Sequence, residues 1–241
     1  MIFYLDPYIR TRNENELVEA IIEDIFMKLM NGKWSYSVKG MVGMEKHIKQ
    51  LELLLCIPAQ DVCFCTVGIW GMGGCGKTTL ADVVFHRNSS EFHACVFLAN
   101  VREQSEKHGL YHLRNELLRK LLKEERLCID SPSIGPSYII HQLSRTKVLV
   151  VLDDVSDLSQ LEFLLGDQVQ FGPGSRILIT TRNKRLLKKR VHEDHIYKVN
   201  LLSNHEALQL FQSIAFEDDS SIEGYSNLSE KVVSYAGCNP L

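Results

Sequence analysis

The sequence predicts an α/β protein built on a doubly wound parallel sheet. Five apolar runs rich in valine and isoleucine have the length and composition of buried parallel strands, and they cover residues 64–70, 94–101, 148–152, 177–181 and 196–199. Patterns typical of helices fill the gaps, notably over 110–123, 138–143 and 158–165. Alternation of strands and helices favours a parallel sheet, whose ligands bind at the carboxyl ends of the strands.

Helices are also predicted on both sides of this region. Asn13 and Glu16 resemble a capping box, and apolar residues recur at every fourth position from Leu17 to Leu29, which predicts an amphipathic helix. A short helix follows over 45–55. After residue 199 two helices without an intervening strand are predicted, the first starting near Leu202 and the second covering 222–235. They indicate a separate all-helical subdomain.

The composition is that of a globular protein without a general nucleic-acid surface. Hydrophobic residues make up 45% of the 241 positions and the formal net charge is −3, whereas binding to phosphate backbones needs clustered excess cations. The one basic run, over 184–190, is interpreted as a solvated helix face, with a nucleic-acid or nuclear-import patch as the alternative. No apolar stretch approaches the ~20 residues of a membrane-spanning helix, so we expect no membrane span.

The cysteines and histidines show no spacing typical of a metal site. Reduced, mostly buried thiols in a cytosolic protein are the simplest interpretation. The first six residues lack the basic start and long apolar core of a signal peptide, so an intracellular protein is expected.

A glycine loop follows the first predicted strand. Residues 71–79 fit the phosphate-binding pattern G-x-x-x-x-G-K-[ST], with a strand before them and a helix after them. Four glycines permit backbone conformations in which successive N–H groups surround a β-phosphate, namely Gly71, Gly73, Gly74 and Gly76. A glycine-rich turn that merely joins a strand to a helix is the alternative, and the complete pattern in its context disfavours it.

The residues that follow the loop have side chains suited to a nucleotide. Lys77 opens a helix whose positive end points at the same anion, and its ammonium would reach the β- and γ-phosphates. The Thr78 hydroxyl would coordinate Mg²⁺, and Thr79 would lie near the α-phosphate. The motif therefore predicts a nucleoside di- or triphosphate and Mg²⁺ as ligands.

Two acids follow the strand predicted over 148–152. Asp153 would hold Mg²⁺ through water, opposite Thr78. Asp154 would act as a base that orients the attacking water, and because its side chain is one methylene shorter than glutamate, slow hydrolysis is expected. Aspartates that only cap the end of a strand are the alternative.

Arg182 follows the strand predicted over 177–181. A guanidinium at this position would stabilise the charge of a γ-phosphate or report its presence, as an arginine finger does. A surface arginine at the start of a helix is the alternative interpretation.

Five motifs in this order resemble the NB-ARC nucleotide-binding region of plant disease-resistance proteins. They cover residues 68–79, 97–102, 152–155, 174–182 and 237–241, and the resemblance extends over about residues 34–241. In that family the region is an ADP/ATP switch of the STAND class, in which ADP holds the resting form and exchange for ATP permits oligomerisation and defence signalling. The resemblance implies ADP or ATP with Mg²⁺, slow ATP hydrolysis at most, and protein partners or self-association through this region.

The resemblance also implies roles for residues outside the glycine loop. Val42 and Gly43 match residues that border the adenine, although Met44 stands where arginine is common. Pro240 matches the proline that closes over the nucleotide from the helical subdomain. A cytoplasmic or nucleocytoplasmic location is implied.

Segment 97–102 and Asp157 resemble the corresponding residues of the subgroup that carries an N-terminal TIR domain. The implied organisation is a vestigial TIR end with a linker helix over 1–33, a P-loop nucleotide-binding domain over 34–200, and an incomplete ARC1-like helical subdomain over 201–241. The glutamate on which TIR NAD⁺ cleavage depends has no counterpart, so that activity is not expected. Because the winged-helix subdomain and the leucine-rich repeats are absent, we expect a truncated chain.

Two other functions remain as alternatives. A P-loop ATPase or kinase acting on a separate substrate would show multiple turnovers or a phosphorylated product, and no acceptor-binding motif is visible. An adaptor that binds ADP structurally would bind nucleotide without exchange or turnover.

Overall fold

Five parallel strands form one sheet in the order β2-β3-β4-β1-β5 in the computed structural model. The strands are β1 Cys65–Trp70, β2 Ala94–Leu98, β3 Val148–Val155, β4 Arg176–Thr181 and β5 Ile196–Lys198. All four strand pairs are parallel, as the alternating pattern predicts. Strand β4 lies between β1 and β3, so the strand before the glycine loop and the strand that carries the two acids are separated by one strand.

The structure describes residues 42–57, 64–131, 137–166, 171–215 and 222–240. The chain divides into the units Met1–Met41 and Val42–Leu241, and every described residue belongs to the second. The amphipathic helix predicted at 13–29 and the vestigial domain predicted at 1–33 lie outside the described residues. The division of the chain at residues 200 and 201 stays a prediction.

Helices cover the segments between the strands. The first six are α1 Met44–Leu54, α2 Lys77–Asn88, α3 Val101–His108, α4 Leu110–Leu122, α5 Ser137–Leu143 and α6 Leu158–Leu165. They are followed by α7 Lys184–Leu187, α8 Asn204–Ala215 and α9 Ile222–Tyr235, and 3₁₀ turns occur at Ser89–Glu91 and Glu193–His195. None of the described helices is long and apolar enough to cross a membrane.

The predicted end of the second strand is wrong, because Val101 begins α3 instead of ending β2. Asn100 adopts a left-handed conformation with φ 51° at the start of α3, and this turn ends the extended chain. Within α3 only Val101 is buried, so the helix has no apolar periodicity for the sequence to reveal. The helix predicted for the basic run over 184–190 is also shorter than expected, since α7 ends at Leu187.

The expected burial of the cysteine thiols is wrong for most of the described cysteines. None of the six described cysteines forms a disulfide, and of these six Cys65 and Cys75 are buried. Cys56 and Cys128 are exposed because they lie in the non-helical segments that follow α1 and α4.

The core is centred on β3 and β4, which helices cover on both faces. Every residue of β4 is buried, and so is every residue of β3 except Asp154. The edge strands are less buried, since β2 alternates buried and half-buried residues and β5 has no fully buried residue. Three polar residues at the ends of β3 and β4, Asp153, Thr180 and Thr181, are therefore buried, and burial strengthens their hydrogen bonds.

The buried guanidinium of Arg176 fixes α1 at the amino ends of the strands, opposite the edge that carries the two acids. Arg176, the first residue of β4, donates hydrogen bonds to the carbonyls of Leu55 and Cys56 at the end of α1. Because α1 is fixed at its end, its first residues are held near the glycine loop, where Met44 Cε lies 3.0 Å from the position that a Cβ at Gly76 would occupy.

Replacing Leu149 in β3 by alanine is expected to lower the free energy of unfolding by about 2–5 kcal/mol, because it leaves a cavity in the core. Leu149 has 0% exposure, whereas Leu53 on α1 is 74% exposed. Leu53→Ala is the matched control and should change the free energy by less than about 0.5 kcal/mol. Urea denaturation measures both values. Equal losses for the two variants would contradict the assignment of the core to β3.

Candidate functional site

The glycine loop connects the end of β1 to the start of α2, as the sequence predicts. Gly76 is the N-terminal cap of α2 and has φ 88°, a conformation that a side chain would strain. The helix begins at the next residue, so its unpaired N–H groups face the loop. Thr78 and Thr79 are exposed on the first turn of α2. This end of the helix is suited to an anion.

The ammonium of Lys77 is held by the backbone of the loop. Lys77 is 7% exposed, and its Nζ donates to the carbonyl oxygens of Gly71 at 3.1 Å and Met72 at 2.7 Å. These contacts satisfy a buried cation that has no carboxylate at hydrogen-bond distance among its described contacts. The loop therefore presents a positive charge together with the N–H groups of α2.

Asp153 connects the glycine loop to two strands. Its Oδ1 accepts hydrogen bonds from Thr78 Oγ1 at 2.8 Å and from Thr180 Oγ1 at 2.7 Å. The residue is fully buried, and its Oδ2 makes no hydrogen bond with any described residue. A buried carboxylate oxygen without a partner is unfavourable. Oxygen ligands of this kind suit Mg²⁺, so Thr78 and Asp153 fit a magnesium ion that takes further oxygen ligands from phosphate or water.

Asp154 is directed toward a different set of groups. Its backbone has φ 52°, and the pairing of β3 with β4 is irregular between Leu152 and Val155. Its N–H donates to Thr180 Oγ1 at 2.9 Å. Its carboxylate forms ion pairs with Arg102 at 3.0 Å through Oδ2 and with Arg182 at 3.5 Å through Oδ1. The carboxylates of the two adjacent acids therefore have different partners, and Thr180 forms hydrogen bonds with both residues.

Arg182 lies beside the glycine loop. Its Nη1 is 3.2 Å from the position that a Cβ at Gly73 would occupy, so Gly73 permits the close approach of the guanidinium. The side chain of Arg182 is 57% exposed. The structure thus brings together the loop, Asp154 and Arg182.

The start of α1 contacts the start of α8 through Glu206. Gly43 has φ 74°, a backbone conformation that a side chain would strain, and a Cβ there would lie 2.8 Å from Glu206 Oε1. Glu206 accepts hydrogen bonds from Lys46 Nζ at 2.8 Å and from the N–H and hydroxyl of Ser203 at 2.9 and 2.8 Å. The hydrogen bond from Lys46 is the largest of the effects that lower the pKa of Glu206 from 4.5 to about 2.

The segment after α9 also reaches the glycine loop. Asn239 Nδ2 donates to the carbonyl of Gly73 at 3.1 Å. Pro240 lines an apolar cavity between α8 and α9 together with Phe211 and Val233. The contacts of Val42 and Pro240 with the nucleotide stay predictions.

Four residues of this site had no role in the sequence-based prediction: Arg102, Thr180, Glu206 and Asn239. Thr180 resembles any buried threonine in a strand, and only the sheet order places it beside Asp153. Ser203 and Glu206 have the spacing of a capping box, whereas the other three residues lie in the motifs over 97–102, 174–182 and 237–241 without an assigned contact.

The sheet and the loop define a P-loop nucleoside triphosphatase fold, with a glycine loop after one parallel strand and an acid-bearing strand two positions away. The NB-ARC domain matches residues 44–221. The chain belongs to the NB-ARC family.

Related plant proteins are similar over nearly the whole of this chain. The disease resistance protein RPV1 of Vitis rotundifolia is 40% identical over 231 residues, which are 95% of this chain and 16% of that protein. The TMV resistance protein N of Nicotiana glutinosa is 38% identical over 239 residues, which are 96% of this chain and 20% of that protein. The chain spans a fifth or less of the length of these two relatives.

Solved structures with the same fold are more distant in sequence. Cdc6p from Pyrobaculum aerophilum has a TM-score of 0.55 at 15% identity, over 76% of this chain and 52% of that chain. The Drosophila ORC bound to DNA has a TM-score of 0.58 at 15% identity, over 82% of this chain and 57% of that chain. These likenesses show the fold alone.

Replacing Glu206 by glutamine is expected to lower the melting temperature at neutral pH, because the neutral amide loses the ion pair with Lys46. A carboxylate with a lowered pKa contributes stability above its ordinary pKa and loses it as the pH falls through the folded value. The difference between parent and variant should therefore be complete above about pH 4.5 and shrink toward about pH 2.

Thermal unfolding monitored by circular dichroism at successive pH values measures this difference. Glu116→Gln is the matched control, since Glu116 forms an exposed ion pair with Lys120 on α4. A difference for Glu206→Gln that stays constant over the acid range would mean that the carboxylate charge does not hold α1 to α8.

Proposed function

We propose that this chain is the nucleotide-binding core of an ADP/ATP switch in plant defence signalling, with ADP bound in the resting form. The contact of Thr78 and Thr180 with the buried carboxylate of Asp153 is the observation that carries the proposal. It provides a carboxylate suited to a metal ion directly beside the first turn of α2, where phosphate groups bind in P-loop proteins. The relatives named as plant disease resistance proteins support the biological context.

Phosphate binding rests on charges and dipoles that the chain already holds in place. The start of α2 directs backbone N–H groups at the anion, and Lys77 adds a full positive charge. When bound, Mg²⁺ held by Thr78 and Asp153 would neutralise charge on the phosphate oxygens. Lys77 then exchanges its hydrogen bonds to the loop carbonyls for bonds to phosphate.

Slow hydrolysis is supported by the surroundings of Asp154. Each oxygen of its carboxylate has a guanidinium partner, Arg102 for Oδ2 and Arg182 for Oδ1. An ionised carboxylate has about four acceptor sites, and the two ion pairs occupy two of them. Fewer sites therefore remain for the attacking water, and release of Arg182 would free one.

Two contacts connect the helical segment, from α8 to Pro240, to the nucleotide-binding region and support a switch, one at the glycine loop and one at the start of α1. Asn239 binds the carbonyl of Gly73, and Glu206 binds Lys46 beside Gly43. A change in the loop on exchange of ADP for ATP would reach α8 and α9 through these contacts. Self-association or binding of protein partners in the cytoplasm or the nucleus is proposed as the result of that movement.

Purified protein is expected to contain ADP, which mass spectrometry of the released nucleotide identifies. Lys77→Ala should weaken ADP binding by at least about tenfold in calorimetry, because a buried cation that faces the phosphates is removed. Lys120→Gln removes an exposed cation on α4 and is the control. Equal ADP affinity for parent and Lys77→Ala would contradict the proposed site.

The two adjacent acids are expected to differ in their effects. Asp153→Ala should weaken Mg²⁺-dependent ATP binding far more than metal-free ADP binding, because Asp153 is proposed to hold the ion through water. Asp154→Ala should slow hydrolysis and prolong the ATP-bound state while leaving the metal dependence unchanged. Magnesium titrations and single-turnover hydrolysis separate these outcomes. Identical profiles for the two variants would show that the division of roles is wrong.

A further inference from the structure

Asp154 is shared by two arginines that come from different parts of the chain. Arg102 belongs to the first turn of α3 and lies 3.0 Å from Oδ2, and Arg182 follows β4 and lies 3.5 Å from Oδ1. Asp154 is the least exposed of the three, with 18% of its side chain accessible against 41% for Arg102 and 57% for Arg182. The two arginines therefore compete for one negative charge.

Hydrogen bonds fix the backbone at the start of α3, from which the side chain of Arg102 reaches Asp154. Ser105 Oγ donates to the carbonyl of Arg102 at 2.7 Å and accepts from Gln160 Nε2 at 2.9 Å. Gln160 is buried, and its Oε1 accepts from the N–H groups of Ser156 and Asp157 at 2.9 and 3.2 Å, directly after β3. The first turn of α3 is thus tied to the segment that carries Asp154.

Arg182 is the partner that is better placed to move. Its contact with Asp154 is the longer of the two, and its guanidinium also borders Gly73 of the glycine loop. While Arg102 stays bound, Asp154 keeps a compensating charge when Arg182 leaves. Without Arg102, Arg182 would be the one cation on this carboxylate among its described partners, and its release would cost more Coulomb energy.

We infer that Arg102 is a positioning residue that holds Asp154 and thereby lets Arg182 leave this carboxylate for the γ-phosphate of ATP. The inference rests on the proposed function, because it needs a bound nucleotide with a γ-phosphate. It assigns to Arg102 a role in discriminating ATP from ADP without contact with either nucleotide.

The test compares the affinities of the full chain for ADP and for a non-hydrolysable ATP analogue by calorimetry. The variants are Arg102→Gln, Arg102→Lys, Asp154→Asn and the double variant Arg102→Gln/Asp154→Asn, with Lys120→Gln as the control. Arg102→Gln should weaken binding of the ATP analogue relative to ADP by about threefold, which is the size expected for a partly exposed ion pair. Arg102→Lys keeps the charge and should retain most of the parental ratio.

The double variant distinguishes the proposed positioning role of Arg102 from a purely structural role. In the Asp154→Asn background Arg182 has no ion pair with any described carboxylate, so Arg102→Gln should no longer change the ratio of the two affinities. An equal loss of both affinities in Arg102→Gln, an unchanged or increased preference for the ATP analogue, or an effect that persists in the double variant would each overturn the inference. A parent chain that binds neither nucleotide would contradict the proposed function and this inference with it.

Discussion

The carboxylate of Asp153 is fully buried, and two threonine hydroxyls from separate parts of the chain keep it in place. Thr78 lies on the first turn of α2, and Thr180 lies in β4, so one oxygen atom connects the glycine loop, β3 and β4. Burying a carboxylate is unfavourable unless hydrogen bonds or a cation compensate it. The sheet order with β4 between β1 and β3 supplies Thr180 as the hydrogen-bond donor, and the same threonine accepts the N–H of Asp154. The geometry of the site therefore depends on this strand order.

The strands and the loop were predictable from sequence because their signals are local. Short apolar runs located all five strands, and the glycine pattern located the start of α2 at Lys77. The partners of the acids were not predictable in this way. Arg102 meets Asp154 only because β2 pairs with β3, and Thr180 meets Asp153 only because β3 pairs with β4. Helix α3 was missed because one buried residue gives no periodic pattern.

Two kinds of contact join the helical segment to the nucleotide-binding region. The ion pair of Lys46 with Glu206 depends on charge, and it is exposed enough at Lys46 for salt to weaken it. The hydrogen bond from Asn239 to the carbonyl of Gly73 involves the main chain of the loop and no formal charge. The second contact therefore responds to the shape of the loop backbone, whereas the first responds to pH and ionic strength.

The partners of β1 have a consequence for how the chain folds. Cys65 pairs with Arg176 and Gly68 with Ile196, so β1 has neighbours only from β4 and β5 among the described strands. Both neighbours come late in the chain, and closing such long loops is slow because it reduces chain entropy before contacts compensate it. During synthesis, β1 and the glycine loop leave the ribosome well before the strands that order them. The strand before the phosphate-binding loop therefore cannot pair with its neighbours until β4 has been synthesised, so an early nascent chain holds the loop without these sheet contacts.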